Sequence, residues 1–80
     1  MASYTETEKK AVQELIDKYI QDSLDNYVRT AIKEAVITKM NKGLTAIEVA
    51  DIVFEQISNT LIYPKAILLV LRKEIITTLS

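Results

Sequence analysis

The sequence predicts an all-α fold, a compact bundle of four short-to-medium helices, assembled as a homodimer. Three observations lead there. Apolar residues recur at the three- and four-residue spacing of a helical stripe and do not alternate as a strand would require. The 80 residues hold one Gly and one Pro, too few for a turn-rich β fold or a phosphate-cradling glycine loop. Hydroxyl-then-carboxylate pairs, which satisfy the open N–H groups of a helix start, stand ahead of two of the apolar runs. The length fits one domain over residues 1–80.

The first helix is expected over about residues 5–20. Ser3 with Glu6 and Thr5 with Glu8 both match the capping-box spacing, and acids in a first turn complement the positive end of the helix dipole. Ala11, Val12, Leu15, Ile16, Tyr19 and Ile20 form its stripe. The apolar series continues in steps of four through Leu24, Val28, Ile32, Val36 and Met40. Each such step overshoots a turn by about 40°, so on one rigid helix the stripe would wind most of the way round. A break at Gln21-Asp22-Ser23, where Asp22 and Ser23 are good N-caps, is preferred to one long helix, and places helix two at about 23–41. Its main face reads as Leu24, Tyr27, Val28, Ala31 and Ala35, with Val36, Ile37 and Met40 on the other side near Arg29 and Lys33. Lys39, Lys42 and Gly43 read as its C-terminus, with the glycine in the left-handed cap position.

Helix three, about 46–59, opens on the most specific local signal in the chain. Thr45 and Glu48 form a capping box, and Leu44 with Val49 forms the hydrophobic staple around it. Its stripe reads as Ile47, Ala50, Val53, Phe54 and Ile57. Helix four, about 64–79, starts at Pro64, whose missing N–H costs nothing in a first turn.

Nearly half of the residues, 49%, are hydrophobic, yet a chain this short buries only about 60–65% of its unfolded surface. The surplus collects on helix four. Ala66-Ile67-Leu68-Leu69-Val70-Leu71 run without a polar break, and at about 100° per residue six such positions circle the axis. One side is expected inside the protomer and the other against a symmetry mate, with Leu69 at the centre. The expected oligomer interface is therefore Val36, Ile37 and Met40 of helix two with Ile67, Leu68, Leu69, Leu71 and Ile75 of helix four. A helix lying on a membrane surface fits less well, because that class calls for one apolar face and not a ring.

Ten Lys and Arg stand against eleven Asp and Glu, and there is no Cys or His. The balance argues against a chain built for nucleic acid or an anionic membrane. The missing residues exclude disulfides, thiol nucleophiles, His-based triads and ordinary zinc sites. No cofactor, metal or small-molecule substrate is expected, and an enzyme is not. Residues 1–10 lack the apolar run of a signal peptide, and the apolar stretch from Leu61 to Leu71 is shorter than the roughly 20 residues a membrane span needs, so the expected location is cytoplasmic.

Two charged groupings remain. Glu48, Asp51 and Glu55 share one face of helix three and suit a solvated surface or the docking of a basic partner. Arg29 and Lys33 on helix two, with Arg72 and Lys73 on helix four, are the candidate phosphate contacts. The segment from Leu44 to Val53 reads like the opening of a helix-turn-helix, but Phe54 stands where a turn glycine would be usual and helix four is apolar where a recognition helix is polar and basic. The sequence thus favours a small cytoplasmic regulator or adaptor acting through self-association and protein binding. A dimeric DNA-binding regulator is the alternative, and it requires the four basic residues to converge on one surface.

Overall fold

The computed structural model describes residues 3–20, 25–60 and 62–80. Four helices occur among them: α1 (Glu6–Ile20), α2 (Asn26–Asn41), α3 (Ala46–Thr60) and α4 (Lys65–Leu79). Local chemistry accounts for the start of each and for the end of α2. Of the two candidate boxes at the start of α1, Thr5 and Glu8 make the reciprocal bonds: the Thr5 N–H donates to Glu8 Oε1 at 2.9 Å, and the Glu8 N–H to Thr5 Oγ1 at 3.1 Å. At the start of α3 the Thr45 N–H donates to Glu48 Oε1 at 3.0 Å, and the Glu48 N–H returns to Thr45 Oγ1 at 3.2 Å. The cap of α2 is Asp25, whose Oδ1 accepts from the Val28 N–H at 2.9 Å; the expected caps Asp22 and Ser23 lie outside the described residues. Gly43, at φ 81°, closes α2 in the left-handed region with its N–H on the Met40 carbonyl, a conformation that costs glycine little. Pro64 sits one place before α4, and its carbonyl accepts from the Ile67 and Leu68 N–H groups.

The break between the first two helices is decided by Asp17. On one continuous helix Asp17 and Lys33 would stand about 24 Å apart, whereas here the carboxylate meets the Lys33 ammonium at 3.0 Å and the Arg29 Nε at 3.3 Å. The chain therefore folds back, and α2 lies antiparallel to α1. The Arg72 Nε, 2.6 Å from Asp51 Oδ1, sets the same antiparallel relation between α3 and α4. Each helix packs on its neighbours in sequence and α4 closes back on α1. A radius of gyration of 11.5 Å equals the roughly 11.6 Å expected of a compact chain this long.

The core takes Val12, Ile16 and Ile20 from α1, Ile32, Val36 and Met40 from α2, Val49, Ala50, Val53 and Ile57 from α3, and Leu68, Leu71 and Ile75 from α4. Among the described residues no polar side chain is buried with them. Two tyrosines tie the ends of the bundle: Tyr4 donates its hydroxyl to the Leu44 carbonyl and Tyr63 to the Tyr19 carbonyl.

Three expectations are corrected. The inward face of α2 is Ile32, Val36 and Met40, while Tyr27 is 83% exposed and Ala31 faces outward. The larger aliphatic side chains gain more by leaving water than two alanines do, and this decides the rotation of the helix. Ile47 lies outside the α3 stripe and Val49 inside it, because the staple draws Val49 inward beneath Leu44. Five of the expected interface residues, Val36, Met40, Leu68, Leu71 and Ile75, are buried within the protomer and have no surface to offer a second copy. Nor is the whole chain short of cover. Its accessible surface of 4956 Å² matches the roughly 4,900 Å² of an ordinary monomer of this mass, so any surplus of apolar surface is local.

Candidate interaction surface

Of the large apolar side chains exposed among the described residues, Ile67, Leu69 and Val70 lie on α4, while Tyr27, Ile47 and Ile62 lie on α2, on α3 and ahead of α4. Successive residues advance about 100° round the axis, so a helix that turns Leu68, Leu71 and Ile75 inward presents Ala66, Leu69, Val70 and Lys73 outward. Leu69 is 55% exposed, Val70 48% and Ile67 37%. Leu69, expected at the centre of a fully covered ring, therefore stands on the open side of it. Ile37, the remaining residue of the expected interface, is half-buried on α2 and lines a shallow groove against α1 with Gln13, Thr30, Lys33, Glu34 and Thr38. Ile37 thus lies apart from the α4 group, and the expected two-helix patch is reduced to α4. A second groove, between α1 and α4, brings Leu15 and Lys18 beside Val70, Lys73, Glu74 and Thr77.

The four basic residues do not converge. Arg29 and Lys33 close on Asp17 at the α1–α2 seam. Arg72 closes on Asp51 at the α3–α4 seam, and Lys73 is exposed at the α1–α4 groove. Three of the four cations are thus held by carboxylates of the same chain, on two different sides of the bundle.

The acidic face of α3 is exposed throughout: Glu48, Asp51 and Glu55 all meet solvent. Two of its members are engaged within the chain. Asp51 pairs with Arg72, and Glu48 closes the capping box. Accepting the Thr45 N–H and hydroxyl holds the Glu48 carboxyl below its ordinary range, since both bonds favour the charged form. Among the described residues no three acidic side chains gather closely enough to hold a metal ion, and no helix is long and apolar enough to cross a membrane. α3 also runs to Thr60 without the early turn of a helix-turn-helix.

The remaining polar chemistry belongs to the tyrosines. Bonding to Glu74 raises the Tyr19 hydroxyl above its usual value, with some help from desolvation. Desolvation does the same for Tyr4, aided by the nearby Glu8 and Glu48 charges. The carbonyls that the Tyr4 and Tyr63 hydroxyls reach lie some 40 residues away in the chain, beyond any local sequence pattern. No protein-family model matches the chain, and comparison with curated proteins and with solved structures finds no match.

Proposed function

We propose that this chain is a small non-enzymatic adaptor or regulator that works by pairing with itself and with other protein surfaces. The observation that carries the reading is the outer side of α4, where Leu69 and Val70 stay in water above a closed core. Exposed apolar side chains gathered on one element mark an interaction site more often than a scatter of single ones does. The lack of His and Cys removes the usual nucleophile–base pairs and supports a binding role over a catalytic one.

The division of the basic residues favours this reading over DNA binding. A duplex contact needs several cations on one surface, and here Arg29, Lys33 and Arg72 are already engaged with Asp17 and Asp51. Two titrations test the proposal together. Sedimentation equilibrium is expected to show a mass rising above 9.1 kDa as concentration increases, while fluorescence anisotropy of a labelled 30-base-pair duplex at low salt stays flat. A constant monomer mass combined with salt-sensitive DNA binding would replace the proposal with its competitor.

A further inference from the structure

The outer side of the α3–α4 pair carries its own complement. Residues 43–64 hold three acids and no base, and Asp51 and Glu55 of that segment are exposed. α4 exposes Lys65 and Lys73. The same two helices also expose Leu69 and, at 54% exposure, Ile47. The Asp51–Arg72 contact fixes the relative height of the two antiparallel helices. On that register Glu55 stands level with Leu68, about 4.5 Å along the axis from Lys65 and about 7.5 Å from Lys73, within reach of a long side chain.

A two-fold axis parallel to the helices, laid over this face, sets α4 of one copy on α3 of the other at equal height and with opposed directions. Acid then meets base on both sides of the axis, and Leu69 stands level with residue 54 of the facing helix, about 10.5 Å along the axis from Ile47. Resting on the self-association reading above, we propose that two copies pair isologously through the α3–α4 face, with Lys65 and Lys73 of each copy held by Glu55 and Asp51 of the partner subunit. Such an interface satisfies the rule that one patch must be complementary to itself. Two helices about 10 Å across and about 22 Å long offer roughly 450 Å² per copy, or about 900 Å² in total, below the roughly 1,200 Å² of the smallest stable interfaces. The dimer is accordingly weak, rapidly exchanging and weakened further by salt.

A charge exchange tests it. One variant carries Glu55→Lys and the other Lys65→Glu. Both sites are exposed, so circular dichroism should show the parental helix content. Exposed ion pairs are each worth up to about 1 kcal/mol, a factor of about five, and each occurs twice across the axis. Each variant alone is therefore expected to self-associate several-fold more weakly than the parent in sedimentation equilibrium, up to about 30-fold for two pairs. Mixing the two should restore association to within about twofold. Unchanged association of the single variants, or a mixture no stronger than its components, would overturn the α3–α4 assignment while leaving self-association by another face intact. A parent chain that remains monomeric up to about 1 mM would remove both the assignment and the reading on which it rests.

Discussion

Leu68 and Leu69 are neighbours in sequence and opposites in environment: Leu68 is 1% exposed and Leu69 55%. Truncating each to alanine therefore separates the core from the surface of one helix. Leu68→Ala removes buried carbons from among side chains that cannot fully collapse, a loss of about 2–5 kcal/mol. A domain of this length has a total stability of about 4–12 kcal/mol, so the change consumes a large share of it. At about 4–8 °C per kcal/mol for a domain this small, the melting midpoint should fall by roughly 8–40 °C. Leu69→Ala leaves no cavity in the protomer and should alter stability by less than about 0.5 kcal/mol. Circular dichroism melts at about 5 µM, low enough to keep a weak dimer apart, measure both. Equal losses, or a greater loss for Leu69→Ala, would refute the inward rotation of α4 and with it the outer face on which the functional proposal depends.

The rotation of α2 is tested the same way: Val36→Asp should abolish cooperative folding by burying a charge, whereas Ala31→Asp, on the exposed side, should melt close to the parent. Thr45→Ala should cost about 1 kcal/mol through loss of the α3 cap, read from urea denaturation midpoints. The capping box also sets an acid-side pH dependence. Because the folded Glu48 carboxyl lies below its ordinary value, its contribution is present above the unfolded carboxylate range and is lost as pH falls through the lowered value. A Glu48→Gln variant should show a flatter stability curve below pH 5. Tyr19 behaves in the opposite sense. Its folded hydroxyl is raised, so its contribution is complete below the ordinary tyrosine value and is lost as pH climbs through the raised one; Tyr19→Phe should remove that alkaline loss, seen in melts between pH 8 and 11.

The helices and their ends were legible in the sequence because their causes are local. Capping boxes, a C-terminal glycine and a proline act within a few residues: the Thr5–Glu8 and Thr45–Glu48 boxes and Gly43 lie where the spacing placed them, Pro64 stands one place ahead of α4, and Asp25 caps α2. Helix rotation was less legible, because it depends on partners distant in the chain. Tyr27, Ala31 and Ala35 formed as regular a stripe as Ile32, Val36 and Met40, so spacing alone did not separate them; the larger apolar area of the second set does, realised where α2 packs against α1 and α3. The six-residue apolar run of α4 is visible in the sequence as an excess, but which half stays in water follows from where α1 and α3 sit. The ion pairs of Asp17 and Asp51 were beyond reach for the same reason, since their partners lie 12 to 21 positions away. Those pairs are what separate the basic residues that the sequence left free to converge.

The most direct test of self-association through the outer side of α4 is a dilution series of ¹⁵N–¹H correlation spectra between about 1 mM and 10 µM. Weak, rapidly exchanging pairing moves the amide signals of the contact surface with concentration and leaves the rest in place. The account predicts movement at Ile47, Glu55, Leu69 and Lys73, with Gln13, Thr30 and Glu34 on the α1–α2 side unmoved. Spectra that superimpose across the whole range, or shifts centred on the α1–α2 groove, would contradict it.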